Sequence, residues 1–436
     1  MQQAQFRRFL VICRDHCAFT ASAIWLPQVD LRIRDGIRTR SMTLHSLPGY
    51  AHGAFWKVLA LLAKAAFVFL IIPRLADGVF GGYSLASTIT MLVAVGLSLG
   101  ALDALPVFTR GRKAIERSLA PLFHMVLIAA GLCLAAYAIV GGIVSIAAAV
   151  AAANLSYLIL SGILRSSRPH YYELLINLPI PLFVGLCAFL LAPDLERLLL
   201  QFALAHLAVV IAIGACGGLL SPSSHRQRIY SISIVRRLLK TGNIKSVSAI
   251  LLLVDFRALI LVPGILFATV PADALAMALT LAEAVWQLGM VVVNRNYSLY
   301  CKGVGTLRDS VRTACLLLTC FVLLGCAFIL LPIPFTIRRF DWHLIGWALL
   351  FFAAMISLLE LRYFFWSRGQ YDYQIVLAQV VIASVQVVVV ATLPEQFWLP
   401  ASALMALAGT VALLAHLLRT KLGLSTPAGS PKTTHC

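Results

Sequence analysis

Charge is scarce in this chain, and acidic charge is scarcest. Only 12% of the 436 residues are Asp, Glu, Lys or Arg, and 17 acids stand against 35 Lys and Arg. A soluble domain carries about 25% charged residues, so this chain could not clothe a soluble surface. The apolar runs lack the period-2 alternation of a membrane barrel, which leaves helices as the spanning elements. No HExxH, Walker loop, GxSxG or GxGxxG occurs, and Gly303-Val304-Gly305 stands without context. The ten cysteines form no CxxC pair and no zinc spacing. Cys133, Cys187, Cys216, Cys315, Cys320 and Cys326 lie in apolar runs, where they read as small packing residues. Neither a disulfide framework, a metal nor any other cofactor is indicated. The loops between alternate spans are short, with no room for the outer catalytic domain of a membrane glycosyltransferase. Asn154-Leu155-Ser156 and Asn296-Tyr297-Ser298 match the glycosylation pattern but fall in or beside apolar runs, so they read as accidental.

What is present is hydrophobic length. Hydrophobic residues make up 61% of the chain, and mean hydropathy is +0.92. About twelve runs approach the 20 residues that cross a bilayer: 54–74, 83–108, 118–140, 143–164, 171–192, 196–219, 241–266, 272–296, 311–332, 343–365, 373–393 and 398–419. The expected class is an all-α integral membrane protein, with two six-helix pseudo-repeat bundles around a central cavity. The net charge of +18 sits mainly in alternate short loops, the positive-inside pattern, so membrane lipids are the expected surroundings and nucleic acid is not a partner. Those loops hold Arg110, Arg112, Lys113 and Arg117; Arg165 and Arg168; Arg226 to Lys240; Arg295 to Arg312; and Arg362 and Arg368. Both termini then lie in the cytoplasm.

The chain divides into a basic extension at 1–53, a bundle at 54–220, a basic linker at 221–240, a second bundle at 241–420 and a tail at 421–436. The extension and tail are expected to be disordered, or the true start is Met42. Six spans on each side of the linker permit two parallel repeats. Pro73 followed by Ser84-Leu85-Ala86 recurs at one offset as Pro263 followed by Ala274-Leu275-Ala276. Pro179 and Pro181 should kink the fifth span beside Asn177.

An ionisable residue at the centre of a span costs roughly 2.5–3.5 kcal/mol and normally faces a bundle interior or a watery cavity. Lys57 and Lys64 share one face of the first span. Lys57 can snorkel toward the inner surface. For Lys64 two readings are open, a buried carboxylate partner or a cationic cavity wall. Asp255 and Arg257 point to nearly opposite faces of the seventh span and need different partners, in either arrangement. Glu283, Gln287 and Asn294 share a face of the eighth, and Glu283 is the natural partner for Arg257 or Lys64. Ser84, Ser87, Thr88, Met91 and Ser98 line one side of the second span as packing or as cavity wall, with Asp103 further on. Glu360 and Arg362 read as an interfacial pair.

The run from Ala63 to Arg110 resembles the opening helix pair of polysaccharide flippases, a family of the multidrug/oligosaccharidyl-lipid/polysaccharide exporter superfamily. It has a Lys-containing helix, the turn Phe80-Gly81-Gly82-Tyr83, and a second helix with Gly96 and Gly100 before a basic loop. Val254-Asp255-Phe256-Arg257 and Met277 to Leu288 are similar to the start of the family's second half, although Asp273 stands where a Tyr often occurs. The resemblance implies alternating access in the bacterial inner membrane, without covalent chemistry. The cargo would be undecaprenyl-diphosphate-linked oligosaccharide for O-antigen, capsule or exopolysaccharide. Polysaccharide polymerase and chain-length proteins would be partners. Lys64, Arg257 and Lys57 would then meet the diphosphate. Glu283, Asp255, Gln287, Asn294 and Asp103 would line the cavity or couple an ion. A cation-coupled multidrug exporter of the same superfamily, an integral-membrane enzyme of glycan assembly and a non-transporting scaffold are the competing readings.

Overall fold

The computed structural model describes residues 47–98, 112–167, 169–189, 194–220, 250–265, 267, 272–301, 303–331, 341–368 and 373–421. Among them helix is the only repeating structure. Ten helices are long and apolar enough to cross a membrane. A broken helix at 169–189 and a helix at 250–265 bring the count to the expected twelve or so. The basic extension before residue 47, the linker at 221–240, the tail beyond 421, Asp103 and Arg110 lie outside the described residues.

Helix α1 (Leu47–Ala66) begins several residues before the expected boundary at 54. It continues as one π turn (Phe67–Ile71) and one 3-10 turn (Ile72–Arg74). Pro73 lacks the N–H that would close a regular turn there. Helix α2 (Val79–Leu97) starts earlier than the expected 83, so Val79 to Gly82 are its first turn and not a loop. Gly78 precedes it at φ 79°, in the left-handed region that glycine enters without a Cβ penalty. Helices α3 (Arg112–Val140) and α4 (Ile143–Ser167) form a hairpin through Gly141 and Gly142. Arg112, Lys113 and Arg117, expected in a loop, belong to the first turns of α3.

The fifth span is two helices, α5 (Pro169–Asn177) and α6 (Pro179–Phe189). Pro179 has no N–H to give, and Asn177 Nδ2 donates back to the Glu173 carbonyl at 2.6 Å, so the expected kink is a break. Helix α7 (Leu195–Cys216) is capped by Asp194, which accepts from the Arg197 N–H at 2.9 Å. Helix α8 covers 250–265. After it come α9 (Asp273–Cys301), α10 (Leu307–Leu330) and α11 (Trp342–Ser367). A short 3-10 turn (Glu395–Phe397) separates α12 (Tyr373–Thr392) from α13 (Trp398–Lys421).

Helix α11 is the axis of the second group of helices. In its most apolar stretch 89% of residues are buried within the protein, against 11% for the matching stretch of α3. It packs on α9, α10 and α13. Contact with α10 is tight at Gly325 and Gly346, where a Cβ on either would fall within 3 Å of the other's carbonyl oxygen. Small residues allow such approach where water supplies no drive to pack helices together.

Candidate functional site

Helix α9 carries polar side chains along one face for most of its length, and nearly all of them meet the first group of helices. Near its N-terminus the Asp273 carboxylate accepts from the Gly78 N–H at 3.0 Å and the Gly81 N–H at 2.8 Å. Gly78 itself offers no side chain to the exposed amides that open α2, so α2 is capped from a residue 195 positions away.

Three turns further along α9 lies the charged centre. Glu283 forms an ion pair with Lys64 of α1 at 3.4 Å and a short one with Arg257 of α8. Side-chain exposures are 14% for Lys64, 18% for Arg257 and 24% for Glu283. The cluster is therefore enclosed without being sealed. Two cations against one carboxylate leave one positive charge in excess. Of the two open readings of Lys64, these contacts show the carboxylate partner.

One turn further, Gln287 Oε1 accepts from Lys57 Nζ at 3.0 Å. Lys57 is only 2% exposed. It does not snorkel, because its ammonium is turned into the protein toward α9. Two turns beyond, Asn294 Oδ1 accepts from Arg165 of α4 at 3.3 Å. The Arg165 guanidinium lies 4.6 Å from the ring centre of Tyr297, 5.1 Å from that of Tyr363 and 5.9 Å from that of Tyr172. Expected to be only a topological charge, Arg165 is instead caged by three tyrosines and bridges α4 to α9 and α11.

The shared face of Glu283, Gln287 and Asn294 is thus a seam. It joins helices before residue 220 to helices after 250. The sequence supplied the stripe and the Glu283 partners but missed two members, Arg165 and Asp273. The signals available for them were the tyrosines clustered near the span ends and the atypical acid at the start of α9.

Asp255 is buried on the other side of α8 from Arg257, as a two-residue spacing demands. Gln386 of α12 donates to its backbone carbonyl at 3.0 Å. Neither carboxylate oxygen has a hydrogen-bond partner among the described residues. Of the two arrangements left open, Arg257 faces the seam and Asp255 faces away. Ser84, Thr88 and Ser98 are buried, and the Thr88 and Ser98 hydroxyls donate to carbonyls of their own helix, which fits packing. The pairing expected of Glu360 with Arg362 is replaced. Glu360, fully buried, accepts from Tyr300 at 2.6 Å and Asn296 at 3.1 Å, and Arg362 lies 3.8 Å over the Trp366 ring. A groove of about 470 Å³ between α12 and α13 shares no residue with the seam.

No protein-family model matches the sequence, and no curated protein matches it. Solved structures do. A MATE protein crystallised in complex with Br-NRF is 12% identical, with a TM-score of 0.54 over 87% of this chain and 94% of that one. An outward-facing multidrug resistance MATE family transporter of the MOP superfamily is also 12% identical, with a TM-score of 0.48 over 86% of this chain and 95% of that one. The first likeness shows that this chain has a MATE-like transporter fold.

Proposed function

We propose that this protein is a carrier that flips undecaprenyl-diphosphate-linked oligosaccharide across the bacterial inner membrane by alternating access. The two bundles, 54–220 and 241–420, part on one side at a time, with both termini in the cytoplasm. One observation carries this reading: Lys64 and Arg257 converge on a single carboxylate, which leaves a partly accessible positive charge inside an apolar bundle. An uncompensated cation there is costly, and an anionic cargo would neutralise it. A diphosphate can take the Arg257 fork in bidentate fashion and the Lys64 ammonium as a point charge. Glu283 then acts as resident counter-anion. It yields the cations when phosphate arrives and reclaims them on release, which keeps binding reversible. Lys57, beside Gln287, adds a second positive group along the same face of α1. The isoprenoid stays in lipid, and no bond is made or broken. Polysaccharide polymerase and chain-length proteins would act on the exported product.

A second reading, cation-coupled drug export, draws on the MATE-like fold and on Glu283 itself, a carboxylate a cationic drug could meet. It differs in the sign of the cargo. Proteoliposomes with a fluorescent diphosphate-linked lipid separate the two. Lys64→Met is expected to slow flipping at least about tenfold, the loss of one charged contact, while Lys64→Arg retains most of the rate. Normal flipping by a well-expressed Lys64→Met protein would reject the proposal. Faster export of a cationic dye by the same variant would favour the drug reading.

A further inference from the structure

The ends of the α9 seam differ in chemistry from its centre, and each is bridged by contacts to the first group of helices. At one end the Asp273 carboxylate holds two backbone amides at the start of α2, at 3.0 and 2.8 Å. At the other the Arg165 guanidinium sits among Tyr172, Tyr297 and Tyr363 and donates to Asn294. Between them lie the Lys64–Glu283–Arg257 cluster and the Lys57–Gln287 contact. We infer that Asp273 and Arg165 are the two latches of the path, Asp273 closing the outer mouth and Arg165 the inner mouth. This rests on the alternating-access part of the proposed function and on its topology, not on the identity of the cargo.

Each latch suits release. The Asp273 contact is made to N–H groups of a helix opening, which water can satisfy as soon as the mouth parts. The bond is strong while dry, since the acceptor is charged and sits at the positive end of α2. The Arg165 latch includes three ring faces and a neutral amide. A guanidinium on aromatic rings gives up moderate energy on entering water. Asp273 is bound to the turn after α1, and Arg165 ends α4, so the two latches grip different parts of the first group of helices. They can open one at a time while Glu283 keeps its cations.

The test reads access to Lys64 in sealed vesicles of either orientation, using a membrane-impermeant amine reagent and mass spectrometry of the peptide that carries Lys64. The full chain is used and no cargo is added. Asp273→Ala is expected to raise labelling from the outer side roughly tenfold, the loss of hydrogen bonds to a charged group, with labelling from the inner side unchanged or lower. Arg165→Gln is expected to do the reverse. Should either variant fail to fold, Asp273→Asn and Arg165→Lys replace it, with smaller shifts in the same directions. Labelling unchanged in both directions, or raised on the wrong side, would overturn the inference. A wrong cargo assignment would leave these results standing, because no cargo takes part.

Discussion

Glu283→Ala is expected to destabilise the folded protein by roughly 3–5 kcal/mol, the usual penalty for stripping a partner from a buried ion pair. The reason is the charge count at the seam. Lys64 and Arg257 both depend on this one carboxylate, so its removal leaves two enclosed cations with no anion between them. Lys64→Met removes one cation and leaves the Arg257–Glu283 pair neutral. Arg257→Met does the same with the roles exchanged. The order of loss in detergent unfolding midpoints should therefore be Glu283→Ala well ahead of either cation variant. Adding Lys64→Met to Glu283→Ala should recover part of the loss, since only one orphan charge then remains. Equal losses for all three single variants would mean that the cluster is held by packing and not by charge.

The second large effect concerns packing alone. Gly346→Leu is expected to cost about 1–3 kcal/mol, the range for overfilling a packed interior. Even the first carbon of that side chain would sit 2.8 Å from the Gly325 carbonyl oxygen and 2.5 Å from Ile329 Cγ1. The backbone cannot yield as a side-chain tip can, so α10 must move off α11. Gly131→Leu on α3 is the control, because a Cβ there meets nothing within 4 Å. Thermal unfolding of the purified protein should separate the two variants, with Gly131→Leu close to the parent. A Gly346→Leu protein as stable as the control would show that the helix contact has slack.

The fold was legible because membrane helices advertise themselves: each needs its own apolar length whatever its neighbours do. Lengths were less legible than existence. The second span was placed from Tyr83, whereas the positive-φ Gly78 lets the helix begin at Val79. The face shared by Glu283, Gln287 and Asn294 could be read from period alone, as could the opposed directions of Asp255 and Arg257. What those faces meet could not. Lys57 and Gln287 are 230 residues apart, and no local pattern encodes that meeting. Arg165 was hidden for a related reason. A basic residue at the end of an apolar span already has an explanation in the positive-inside pattern, so nothing in the sequence called for a second role. Asp273 stood out only as a departure from a familiar pattern, and its purpose depends on two backbone amides, which leave no trace in residue identity.

Helix α9 runs 29 residues without a break, about 43 Å at 1.5 Å per residue, and it carries a member of every contact in the seam. It is tied to α2 through Asp273, to α1 and α8 through Glu283 and to α4 through Arg165. A displacement of α9 at any one of these points therefore bears on contacts spread along its whole length.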